Sequence, residues 1–157
     1  MPNVPSRITL ALLSAAIVWL TSAALIVNAA GLERSQAPKT ARTVWDKVYT
    51  EDQAKRGEPA YMEACAGCHG EDLTGSSNAP SLAGDDFMFS YGDLTVGDLF
   101  ERIRKLMPAD RPNSLAPEVY RDIVAFILRT NKFPAGDTEL AVDLGALQQI
   151  KITKAHP

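Results

Sequence analysis

Cys65-Ala66-Gly67-Cys68-His69 decides how this 157-residue chain is read, because it gathers both cysteines and one of only two histidines into five consecutive positions. The order Cys-x-x-Cys-His is the attachment sequence for c-type haem. Its two thiols add to the two vinyl groups, and the adjoining imidazole is thereby held under the iron. Other uses of such a pair fit less well. A thioredoxin-like dithiol needs a βαβ setting, whereas the flanks here are helical in pattern. A structural zinc site needs four ligands, and there is no further cysteine to supply them. A plain disulfide leaves His69 and the following Gly70 without a role.

Upstream, Thr50-Glu51-Asp52-Gln53 has the capping-box pattern and predicts a helix from just after Thr50 to about Ala64. Gly57, Tyr61 and Ala64 or Cys65 share one face of it, and Pro59 predicts a kink. Downstream, Thr95 can cap a second helix to about Lys105, with Val96, Leu99, Phe100, Ile103 and Leu106 at helical spacing and Met107-Pro108 as its end. Pro117 opens a third, to about Thr130, in which Tyr120, Ile123, Val124, Ile127 and Leu128 recur at i, i+3, i+4, i+7 and i+8. Asn131 and Pro134 stop it. No strand-type alternation of convincing length appears. The expected fold is all-α, with about three main helices packed around one covalently attached haem. Roughly 90 residues make only a thin core by themselves, and a large buried cofactor adds to it.

The iron's sixth ligand is sought among the remaining His and Met residues. His156 sits second from the end in a polar tail. Met1 lies at the start of the chain, and Met62 is one turn before Cys65, too close to reach across the iron. That leaves Met88 and Met107. A thioether presented from a loop after a helix favours Met107, and core packing is the preferred role for Met88. His69 also needs an acceptor for its other ring nitrogen. Pro80 can supply a backbone carbonyl, with Leu82 packing on the haem, although Ala79-Pro80-Ser81-Leu82 also suits a simple turn.

From Ile8 to Val27 there are twenty residues without a charge, after Arg7 and before Asn28-Ala29-Ala30-Gly31. Residues 1–30 are expected to be a secretory signal cleaved near Ala29 or Ala30, or an uncleaved membrane anchor through 8–27. Both place the working domain outside the cytoplasm, in the periplasm, free or held at the inner membrane. Residues 31–43 lack apolar periodicity and read as a linker, 44–136 as the domain, and 137–157 as a C-terminal extension able to lay Leu140, Val142, Leu144, Leu147, Ile150 and Ile152 over its surface. Sixteen Lys and Arg against nineteen Asp and Glu give a net charge of -3 with no basic block, which argues against nucleic acid as a partner.

With these residues in view, the sequence resembles the class I cytochromes c, in particular the single-haem bacterial type found with quinoprotein (PQQ-dependent) dehydrogenases. Gly57 and Tyr61 match the family's N-terminal helix, where the small residue lets the C-terminal helix cross closely and the aromatic packs on it. Cys65 to Gly70 match the attachment motif, and Pro80 and Leu82 the loop whose carbonyl accepts from the ligand histidine. Thr43 to Asp46, Val48 to Thr50, Thr95 to Arg104, Met107-Pro108, Tyr120 to Leu128 and Phe133 to Gly136 follow in order. Ala116 departs from the pattern where such sequences often place a Ser cap, and Lys47 and Pro59 are unusual in their stretches.

A His69/Met107 haem has no open iron position, which favours one-electron transfer over chemistry at iron, and the Met ligand raises the potential. The expectation is an electron carrier rather than an enzyme. The resemblance implies a periplasmic dehydrogenase as donor and a terminal oxidase as acceptor. Two alternatives stand beside it: a cytochrome subunit anchored in a membrane complex, and a five-coordinate haem enzyme or sensor in which Met107 only packs.

Overall fold

The Thr50 hydroxyl accepts a hydrogen bond from Gln53 N at 3.1 Å, and helix α1 runs Glu51–Ala64 from that cap in a computed structural model that describes residues 42–154. The predicted capping box is only half formed. Gln53, fully buried, turns away and exchanges two hydrogen bonds with the backbone of Leu140, at 2.9 and 3.3 Å. The helix is continuous across Pro59. After it come α2 (Ala66–His69), α3 (Gly84–Tyr91), α4 (Val96–Leu106), α5 (Pro117–Thr130) and α6 (Leu144–Leu147).

The cap expected of Thr95 at α4 is present, and Asp98 completes it to a capping box. Thr95 Oγ1 accepts from Asp98 N at 3.0 Å, and Asp98 Oδ2 accepts from Thr95 N at 2.8 Å. Helix α5 begins at Pro117 and ends at Thr130 as its periodicity predicts, and Ala116 gives it no side-chain cap. The all-α class holds: among the described residues six helices stand beside a single pair of two-residue strands. Helix α3 carries no start signal in the sequence: it is eight residues long, Ala83 offers no side-chain cap, and only Phe87 and Tyr91 are buried on it.

The core centres on the crossing of α1 and α5. A Cβ on Gly57 would run into the backbone carbonyl of Asp122, so only glycine permits this approach. Four residues on, Tyr61 packs against Phe126 with ring centroids 5.2 Å apart. Arg56 holds Asp122 at 2.9 Å and Glu139 at 2.7 Å, tying α1, α5 and the chain beyond α5 together.

Two boundaries differ from the sequence reading. Arg42 and Thr43, expected in the linker, form strand β1, which pairs in parallel with β2 (Ile150–Lys151) in the register Arg42 with Ile150 and Thr43 with Lys151. Residues beyond 136 do more than cover a surface: Leu140, Leu147, Ile150 and Ile152 are buried in the common core. Gln148 backs onto Gly97 in α4, and the Trp45 indole donates to Thr153 O at 3.0 Å. Two-residue strands are too short to show alternation, which is why the pairing left no trace in the sequence pattern. The expected signal or anchor at 1–30, most of the 31–43 linker and His156 lie outside the described residues.

Candidate functional site

Cys65 leaves helical geometry at φ -128°, closing α1, and the chain takes one further turn as α2. Cys68 N and His69 N both donate to Cys65 O, at 3.1 and 3.0 Å. The two thiols are therefore one turn apart with His69 directly after. Neither is in a disulfide: Cys65 is half-buried and Cys68 exposed. Burial, with Cys68 beside it, pushes the Cys65 thiol up to about 11. That is opposite to the lowered value of a thioredoxin-type nucleophile. Gly70, at φ +80°, turns the chain away, and Tyr61 Oη donates to its carbonyl at 2.8 Å.

His69 is buried, and its Nδ1 lies 2.8 Å from Pro80 O, the partner its sequence position suggested. A carbonyl can only accept, so Nδ1 carries a proton there, which leaves Nε2 as the ring nitrogen facing away from that bond. No hydrogen bond to Nε2 occurs among the described residues. The loop bearing Pro80 is fixed from several sides. Leu82 N donates to Leu73 O at 2.8 Å, Ser76 N to Ala79 O at 2.8 Å, and Asn131 Nδ2 to Leu82 O at 2.9 Å. Gly75, at φ +81°, lies so close that a Cβ there would strike Pro80 C and Ser81 N.

A cavity of about 450 Å³ opens between these elements. Its walls include Cys65, Cys68, His69, Pro80, Leu82 and Met107, so the six residues singled out in the sequence meet at one place. Ile123 and Ile127 of α5 line it too, while Met62 and Met88 do not. Met107 caps α4 and is partly buried. Its N donates to Ile103 O at 2.8 Å, and its carbonyl accepts from Tyr120 Oη at 2.8 Å.

The donor set suits haem. A mostly apolar slot of ligand size has two thiols, an imidazole whose Nδ1 is tied to a carbonyl, and a thioether among its lining residues. Sequence reasoning missed Tyr120 and Asn131 as contributors. In the sequence Tyr120 belongs to an apolar stripe and Asn131 is a helix stop, and nothing local marks what their polar ends touch.

Residues 52–127 match the family model described as "Cytochrome C oxidase, cbb3-type, subunit III". No curated protein matches the chain. Among solved structures it is similar to the "Crystal Structure of the Sulfane Dehydrogenase SoxCD from Paracoccus pantotrophus", at 23% identity and a TM-score of 0.47, over 77% of this chain and 67% of that one.

Proposed function

Because the chain is a single-haem class I cytochrome c with covalently bound haem c, we propose that it works as an exported carrier of single electrons, with the haem held by Cys65 and Cys68 and the iron by His69 and Met107. The observation that carries this reading is the convergence of the motif and Met107 on one cavity, with His69 Nδ1 tied to Pro80 O at 2.8 Å. Bound haem supplies a reversible one-electron couple. The chain's own part is to orient the ligands and keep water out. The Pro80 carbonyl fixes the His69 tautomer and ring plane and raises its basicity. Leu82, Ile103, Ile123 and Ile127, all buried, present apolar surface to the slot. A low-dielectric surround and a thioether ligand both favour the reduced state, and so a raised potential.

With His69 and Met107 as its ligands, a bound haem would offer no iron site for substrate. The chain then serves as a carrier from a periplasmic quinoprotein dehydrogenase towards a terminal oxidase, the donor class coming from the sequence resemblance. The direct check is the ferric absorption spectrum of the haem-loaded chain. Met107→Ala should abolish the far-red sulfur-to-iron charge-transfer band, and Met88→Ala should leave it intact. A band that survives Met107→Ala and vanishes in Met88→Ala would reassign the ligand.

The name of the matching family model favours one second reading, a subunit of a membrane-bound oxidase complex. Among the described residues no helix is long and apolar enough to cross a membrane, and the anchor in this reading is the apolar stretch 8–27. Sequencing the N-terminus of the haem-loaded protein purified from whole cells, membranes included, separates the two. A start at Ala30 or Gly31 supports the free carrier, and retention of 8–27 supports the anchored subunit.

A further inference from the structure

One helix grips both loops that carry the axial assignments, and it does so at its two ends. In the first turn of α5, Tyr120 is almost completely buried. Its hydroxyl donates to Met107 O at 2.8 Å and accepts from Leu115 N at 3.4 Å. At the far end Asn131 caps the helix. Its Nδ2 donates to Leu82 O at 2.9 Å and its Oδ1 accepts from Gly84 N at 3.0 Å. Only that orientation of the amide satisfies both partners, since a carbonyl oxygen cannot donate. Leu82 is two residues from Pro80, whose carbonyl receives the His69 proton. Between the two grips, Ile123 and Ile127 line the cavity. The distance between the Met107 loop and the Pro80 loop is thus set by one continuous 14-residue helix.

We propose that Tyr120 and Asn131 are positioning residues that hold the two axial ligands from opposite ends of α5, and that they tune the reduction potential in opposite directions. This rests on the reading of His69 and Met107 as iron ligands. Tyr120 acts through Met107. A thioether favours reduced iron, so a slackened Met107 loop weakens that preference and lowers the potential. Asn131 acts through Pro80. The Pro80 carbonyl makes His69 a more basic ligand, which favours oxidised iron, so a slackened Pro80 loop raises the potential.

The test uses the full haem-loaded chain with Tyr120→Phe and Asn131→Ala, or Asn131→Ser where the alanine variant takes up no haem. Tyr49→Phe is the control: it also removes a buried tyrosine hydroxyl from a carbonyl, Phe133 O at 2.6 Å, but away from the cavity lining. All three should lose similar stability. Tyr120→Phe should lower the potential, weaken the ferric far-red band and speed carbon monoxide binding by about fivefold, the factor expected for one lost buried hydrogen bond. Asn131→Ala should raise the potential and keep the band, and Tyr49→Phe should move neither. If Tyr120→Phe does not load haem, 3-fluorotyrosine at position 120 keeps the shape and strengthens the donor. The potential should then rise, and no change would overturn the proposal. It is also overturned if Tyr120→Phe and Asn131→Ala behave like Tyr49→Phe, or shift the potential the same way. Met107→Ala, measured alongside, tells the failures apart. If it keeps the band, the ligand assignment is at fault; if it loses the band while the α5 variants match the control, only the positioning role falls.

Discussion

Gly75 shows how much of the site depends on single backbone positions. It sits at φ +81°, and any Cβ added there meets the backbone of Pro80 and Ser81. Gly75→Ala therefore combines a left-handed conformation, costing a non-glycine residue about 1–2 kcal/mol, with displacement of the carbonyl that fixes His69. The expected outcome is a loss of about 1–3 kcal/mol in denaturant unfolding, together with a shift in the haem potential. An unchanged potential would mean that Pro80 O does not govern His69. The motif residues were legible because their chemistry is local: five consecutive positions specify attachment, and Pro80 lies close behind in sequence. Tyr120 and Asn131 were not, because their partners are 13 and 49 residues away and neither side chain departs from an ordinary helix pattern.

Among the elements, those with local start signals were readable before the fold was known. Thr50, Thr95 and Pro117 each announce a helix, and each helix begins where they place it. Helix α3 and the β1–β2 pair carry no such signal, and burial against distant chain decides them. Thr95→Ala should cost about 1 kcal/mol, seen as a lowered urea midpoint at neutral pH. The same cap has a pH signature. Hydrogen bonds from the Thr95 side chain and backbone hold the Asp98 carboxyl below its ordinary value. Its contribution is therefore present above the usual carboxylate range and is lost as pH falls through the lowered value. Thr95→Ala should flatten that part of the acid stability curve. At the helix crossing, Gly57→Ala sets two effects against each other. Alanine gains up to about 1 kcal/mol of helix propensity, but its Cβ enters the Asp122 backbone and forces α1 from α5, an overpacking cost of about 1–3 kcal/mol or more. The second should win, and thermal melting of the variant below the parent checks it.

At the scale of the molecule, the chain beyond residue 136 completes the core. Ending the chain there removes Leu140, Leu147, Ile150 and Ile152, all buried. At about 1.5–3 kcal/mol each, their loss rivals the whole stability of a small domain, roughly 5–15 kcal/mol. Gln53 is left buried without its Leu140 partners. The shortened chain should show no cooperative unfolding transition by circular dichroism, whereas a mere surface tail could be removed with little effect. Alkaline stability should depend on Tyr49, whose phenol burial pushes up to about 12. A raised value means stability fully present below the ordinary phenol range near pH 10 and lost as pH climbs towards the folded value. Tyr49→Phe should blunt that loss in pH-dependent melts.

The central claim is that side chains fill both axial positions of the iron, leaving a carrier of electrons and no site for substrate. Rapid mixing of the reduced, haem-loaded full chain with carbon monoxide tests it most directly. The account predicts a low-spin spectrum that carbon monoxide leaves unchanged on the mixing timescale. Fast formation of a carbonyl adduct would contradict it, because an open iron would then make the chain a haem enzyme or sensor.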